Sequence, residues 1–112
     1  GSALDYSPAP LEALADIKKT VNGRMQILVD SGITRGSDII KALCLGADGV
    51  LIARVSVLGL LLGNSEGFEW IIKWLEDEMK RVMILTGSQK LADLSADNLV
   101  PLNELGNRIL AR

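Results

Sequence analysis

Apolar positions along the chain switch between two rhythms, helical spacing and short continuous runs. Leu11, Leu14, Ile17 and Val21 recur at helical intervals, which predicts a helix from Pro10 onward. Proline suits that first turn, because its missing N–H has no intrahelical partner to lose. The pair Asn22-Gly23 tolerates positive φ and is expected to stop the helix. Met25 to Val29 is a continuous apolar run, read as a buried strand that ends at Asp30-Ser31-Gly32. A second helix is expected from Asp38 to Leu45, with Ser37 as N-cap, Asp38 against the positive end of the dipole, and Gly46 as the stop. Asp48-Gly49 turns the chain into a second apolar run, Val50 to Ala53. Two such strands separated by a helix form a βαβ unit, hence a parallel pair.

Beyond the strands the pattern is helical. Val55 to Leu62 predicts a short apolar helix ending at Gly63, and Glu66 to Leu85 a longer one. The longer helix carries an apolar stripe of Phe68, Ile71, Ile72, Leu75, Met79, Val82 and Met83. Trp70 and Trp74 lie beside the stripe, as packing surface. Glu76, Asp77 and Glu78 read as a solvated acidic face with i, i+4 ion pairs to Lys80 and Arg81. A short helix over Lys90 to Leu94, a turn over Ser95 to Asp97 and a weak final helix from Leu102 to Leu110 complete the expectation. The chain divides into a loop with a tag remnant (1–9), two βα units (10–62) and a C-terminal helical segment (63–112). Gly1-Ser2 reads as the scar of cloning.

Composition sharpens this picture in one respect. Hydrophobic residues make up 48% of the 112 residues and mean hydropathy is +0.28, which is apolar for so small a domain, whose surface is large for its volume. Parallel strands also need cover on both faces, and few other strands are available. The expected partners are therefore the remaining portion of a larger barrel or a second copy of the chain. The net charge of -2 and the lack of a basic stripe argue against nucleic acid. No apolar run of about 18 residues predicts a membrane span. One cysteine and no histidine leave no zinc-ligand cluster. Cys44 is expected to be a buried structural thiol, and a reducing, cytoplasmic setting fits.

Two loops carry candidate chemistry, and each follows a predicted strand. Asp30 to Gly36 runs into one helix N-terminus, and Ala53-Arg54 into another. Parallel neighbouring strands bring both loops to the same sheet edge. Helix N-termini offer unpaired N–H groups and a positive dipole end. Gly32 and Gly36 permit close backbone approach, while Arg35 and Arg54 can bind an anion through charge-assisted bonds. Barrels of eight βα units often build a phosphate site from the loops after their last two strands. The same residues also fit a plain βα turn that binds nothing, with Arg54 as a solvated charge.

The stretch Leu28 to Arg54 resembles the FMN-dependent 2-hydroxy-acid oxidases and dehydrogenases, a family that includes glycolate oxidase, lactate oxidase and flavocytochrome lactate dehydrogenases. The family pattern is D-[GS]-G-[IV]-R-R-G-x-D-[IV]-x-K-A-L-x-L-G-A followed by a strand ending in G-R-P. The segment Arg81 to Gln89 is similar to lactate oxidases in particular. Leu4-Asp5 and Pro10 to Leu14 resemble the residues that follow the family's catalytic H-G-G-R. The resemblance implies an α/β fold, the C-terminal fragment of a (β/α)8 barrel with its last two parallel strands, and FMN as cofactor.

Carried over by position, Asp30, Ser31 and Gly32 are implied to lie along the ribityl chain and phosphate, and Ala53 and Arg54 to replace the phosphate-binding G-R pair. Thr34 stands where the family has a phosphate-contacting arginine, which leaves one guanidinium fewer unless Arg35 swings in. Ala53 for glycine and Val55 for proline are further departures. The family's histidine base and substrate-binding arginines have no counterpart here, so the chain by itself is expected to be inactive, with weak or no FMN binding. Two alternatives stand beside this reading: a non-catalytic, self-associating α/β module, and part of another FMN barrel such as a type 2 isopentenyl diphosphate isomerase.

Overall fold

The computed structural model of the chain describes residues 5–101; the helix expected over residues 102–110 lies outside them. Helix α1 spans Pro10–Val21, with proline in its first turn and the Glu12 carboxylate accepting the Ala9 N–H at 3.0 Å. Asn22 ends it in the left-handed conformation (φ 49°), and its N–H returns to the Lys18 carbonyl. Strand β1 is Leu28–Val29, helix α2 is Gly36–Cys44 and strand β2 is Gly49–Val50. The strands pair in parallel, with Leu28 opposite Gly49 and Val29 opposite Val50. Both are shorter than their apolar runs. Each strand has one neighbour among the described residues, so pairing stops where that ladder stops. The flanking bonds Asp48 N–H to Ile27 O and Leu51 N–H to Val29 O, both 2.8 Å, extend it slightly.

Helix α2 begins two residues earlier than its expected start, with Arg35 rather than Ser37 in the N-cap position. The cause is Asp38, which sits at the third helical position and accepts the Arg35 N–H at 3.1 Å and the Thr34 N–H at 3.2 Å. A carboxylate reaching back in this way supplies the capping that Ser37 was expected to give. Gly46 (φ 98°) closes the helix as anticipated.

The two expected helices after β2 form α3, Arg54–Thr86, broken by non-helical backbone at Gly63 and Asn64. The arms on either side of the break touch through glycine. A Cβ on Gly59 would sit 2.7 Å from the Gly67 carbonyl oxygen, so the crossing needs hydrogen at that position. The later residues are two short 3-10 turns, Leu91–Asp93 and Ala96–Asn98. The core joins Leu14, Ile27, Val29, Ala42 and Ala47, with α1 and α2 covering the strand pair. Helix α2 also packs against α3, and Ile40 of α2 and Ile71 and Leu75 of α3 are all buried. Gly36 meets α3 most closely, since a Cβ there would lie 2.6 Å from the Leu75 carbonyl oxygen and 2.7 Å from the Met79 nitrogen. No helix among the described residues is long and apolar enough to cross a membrane.

Candidate functional site

The parallel register delivers both candidate loops to one edge. Past Val29 the chain turns through Asp30, Ser31 (φ 86°) and Gly32 (φ 79°), and past Val50 it runs through Leu51 to the start of α3. Ser31 is strained there, because positive φ is uncommon for a residue with a Cβ. Its N–H is held by Asp30 Oδ1 at 2.8 Å. Beside Gly32 there is open space. The two loops enclose a cleft of about 130 Å³ lined by Asp30, Ser31, Gly32, Ile33, Leu51, Ala53 and Arg54.

Five of the seven sequence-derived site residues thus share one cleft: Asp30, Ser31, Gly32, Ala53 and Arg54. Thr34 and Arg35 do not line it. The Thr34 hydroxyl donates to Asp38 Oδ2 at 3.2 Å. The Arg35 guanidinium forms an ion pair with Glu78, with Nε 3.2 Å from Oε1. Arg35, expected to swing in for the guanidinium that Thr34 lacks, is paired with Glu78 in this structure instead.

Glu78 is the residue that sequence reasoning misplaced. It was read as part of a solvated acidic face, yet it is 7% exposed. Its Oε2 accepts the Gly36 N–H at 2.9 Å while Oε1 takes Arg35. The Arg35 hydrogen bond outweighs the opposing effect of burial and, with the Gly36 N–H, holds the Glu78 carboxyl below the usual carboxylate range. Spacing carried the signal: residues 71, 75, 78 and 82 recur on one helical face, so Glu78 interrupts the buried stripe. A charge in that position calls for a partner. Glu76 and Asp77 are exposed as expected, both within reach of Lys80.

Asp38 shows a different balance. Burial pushes its carboxyl upward, but bonds from Thr34 and Lys41 outweigh that and leave it lowered. Cys44 is buried, and burial pushes its thiol up, which suits packing rather than nucleophilic work. Trp70 and Trp74 stack with ring centroids 6.4 Å apart.

Comparison with known proteins places this geometry in a lineage. The family model for FMN-dependent dehydrogenases matches residues 1–101, and the chain belongs to that family. It is 41% identical over 103 residues to an L-lactate oxidase of Lactobacillus jensenii, covering 92% of this chain and 25% of the relative. A peroxisomal (S)-2-hydroxyacid oxidase of Arabidopsis thaliana is 38% identical over 104 residues, covering 93% and 29%. The solved lactate oxidase of Pediococcus acidilactici superposes with a TM-score of 0.79 at 39% identity, over 83% of this chain and 26% of that one. A soluble mutant of (S)-mandelate dehydrogenase from Pseudomonas putida gives 0.80 at 35% identity, over 85% and 27%. The chain spans about a quarter of the length of these relatives. Its fold is that of a portion of a (β/α)8 barrel, and FMN is the cofactor of the family.

The cleft can be tested against the phosphate end of FMN by size and donors. A volume of about 130 Å³ is about four times the space of one liquid water and well under the 300–1,000 Å³ typical of a whole small-molecule pocket. That volume is on the scale of a phosphate group rather than of a whole flavin. The lining includes Arg54, which makes no ion pair among the described residues and stands at the start of α3, where the first N–H groups lack intrahelical acceptors. Asp30 lines the cleft as well, and its carboxylate suits hydroxyl groups rather than an anion. Donors and an acceptor on one cleft suit a sugar-alcohol phosphate.

Proposed function

We propose that this chain supplies the phosphate-binding corner of an FMN-dependent barrel that oxidises 2-hydroxy acids. Arg54 and the N-terminus of α3 take the phosphate, Gly32 permits close approach, and Asp30 and Ser31 face the ribityl hydroxyls. One observation carries the reading: parallel pairing of β1 and β2 gathers Asp30, Ser31, Gly32, Ala53 and Arg54 around a cleft of phosphate size.

Catalysis on this reading requires the rest of the barrel. FMN, when bound, supplies the electron acceptor, while this chain contributes binding and orientation. The resemblance implies a histidine base, and the chain contains no histidine, so it has no residue for that role. Micromolar binding requires about 8 kcal/mol, and a few hydrogen bonds from two loops fall short once association costs are met. Leu61 and Leu62 of α3, each 79% exposed, and the open strand edges are surfaces that the remaining barrel would cover. A second copy of the chain is the alternative cover, and light scattering separates the two, since a monomer at 12.0 kDa removes the self-associating form.

The test measures lactate and glycolate oxidation and flavin fluorescence, first with the chain and added FMN, then after mixing with the complementary portion of a lactate oxidase. The expected result is no turnover and weak quenching alone, with retained FMN in the mixture that is lost on Arg54→Ala. Turnover by the chain alone, or FMN retention indifferent to Arg54→Ala, overturns the proposal.

A further inference from the structure

Within the Asp30–Gly36 loop the local ties are Asp30 to the Ser31 N–H and Asp38 to the Thr34 and Arg35 N–H groups. The loop carries Ser31 at positive φ, a conformation that for a residue with a Cβ persists only where its surroundings over-determine it. On its N-terminal side it is fixed by the strand pair, through Leu51 N–H to Val29 O. On its C-terminal side the backbone meets α3 at Gly36, and the polar tie across that contact is the buried Glu78 carboxylate. Glu78 accepts the Gly36 N–H through one oxygen and the Arg35 guanidinium through the other. Gly36 has no side chain and lies against the α3 backbone at Leu75 and Met79, so the Glu78 carboxylate reaches the loop backbone directly.

From this geometry we propose that Glu78 is the positioning residue of the cleft: by clamping Gly36 and Arg35 to α3, it holds the Asp30–Gly32 turn in the shape that receives the phosphate. The inference rests on the phosphate reading of the cleft and extends it to a residue that does not touch the ligand. It also explains the direction of Arg35. The same carboxylate that fixes the loop draws this guanidinium off the cleft, leaving Arg54 as the arginine on its wall. An ion pair alone does not account for the arrangement, because an exposed arginine contributes little. The acceptor for a buried backbone N–H is what Glu78 adds.

The test compares the 112-residue chain with Glu78→Gln, and with Glu76→Gln as an exposed control on the same helix. Amide hydrogen exchange is followed by NMR, and inorganic phosphate is titrated while the Gly32 and Arg54 amides are observed. Glutamine keeps the size of the side chain but loses the charge. The proposal expects exchange of the Ser31–Gly36 amides to rise about tenfold in Glu78→Gln, the equivalent of one charge-assisted bond weakened, while Leu14, Val29 and Ala42 keep their protection. Phosphate-induced shifts at Gly32 and Arg54 weaken alongside, and Glu76→Gln changes neither readout. The exchanged pair Arg35→Glu with Glu78→Arg restores an ion pair but no acceptor, and should not restore loop protection. Unchanged exchange in the loop, equal loss of protection throughout the core, or rescue by the exchanged pair overturns the proposal. If the unsubstituted chain shows no phosphate shifts, the phosphate reading fails, while the exchange comparison still decides whether Glu78 holds the loop.

Discussion

The two loops that form the cleft are built on opposite plans. The one after β1 is tied by three carboxylates: Asp30 to Ser31, Asp38 to Thr34 and Arg35, and Glu78 to Arg35 and Gly36. The one after β2 is sparsely tied. Ser56 donates to the Ala53 carbonyl at 2.7 Å, and Arg54 has no ion pair among the described residues. A loop with positive φ at a non-glycine residue needs such ties, because its backbone would otherwise relax. A loop that merely leads from a strand into a helix does not. The contrast suggests that shape is stored on the first loop and charge is offered by the second.

The largest effect expected from breaking this contrast is at Gly36, where the tied loop meets α3. Gly36→Val places a Cβ within 2.6 Å of the Leu75 carbonyl oxygen. Backbone cannot give way as the tip of a flexible side chain can. Overpacking of this kind costs about 1–3 kcal/mol and occasionally more. In a domain of this size the midpoint of thermal unfolding then falls by roughly 10 °C or more. A calorimetric or circular-dichroism melt checks it, and a Tm within a degree of the parent would show that α2 and α3 are not in the contact described.

A smaller effect follows from acid. Glu78 and Asp38 both have carboxyls lowered in the folded state, Glu78 foremost through the Arg35 hydrogen bond, and Asp38 through bonds from Thr34 and Lys41 that outweigh its burial. The charges facing Glu78 are Arg35 and Arg81, and Lys41 faces Asp38. A depressed folded pKa stabilises the fold above the unfolded value, and that stability is lost as pH falls through the folded one. Denaturant midpoints should therefore hold steady from neutral pH down to about 4.5 and decline below it, near the unperturbed carboxylate values. Glu78→Gln should flatten part of that decline. A midpoint that rises on acidification contradicts the assignment of the ties to ionised carboxylates.

Much of this plan was legible in the sequence, and the exceptions have a common physical origin. Pro10 and Asn22 marked the ends of α1, Gly46 closed α2, and Gly63 broke α3, because each acts through its own backbone preference. The parallel pair was legible because two apolar runs enclosed a helix. What periodicity alone did not reveal was tertiary partnership. Ser37 is an apt local cap, but Asp38 took the capping role because it reaches back to two N–H groups at once. Glu78 sits among exposed acids in the linear order, and only its place between Leu75 and Val82 on one helical face distinguishes it. Arg35 was assigned to the cleft by proximity in sequence, while a carboxylate more than forty residues away claimed it.

The smallest structural effect, and the one that most sharpens the contrast, belongs to the open loop. Arg54→Ala removes a charge that has no ion-pair partner among the described residues, so folding stability should change by no more than about 0.5 kcal/mol. If the charge is there for an anion, affinity for phosphate should nevertheless fall, since a hydrogen bond to a charged group is worth about 1.5–3 kcal/mol, roughly ten- to hundredfold. Denaturation and phosphate titration of the same sample read both quantities. Loss of binding at constant stability is the signature of a group held ready for a ligand, whereas loss of stability would mean that Arg54 serves the fold and that the two loops are not divided between shape and charge.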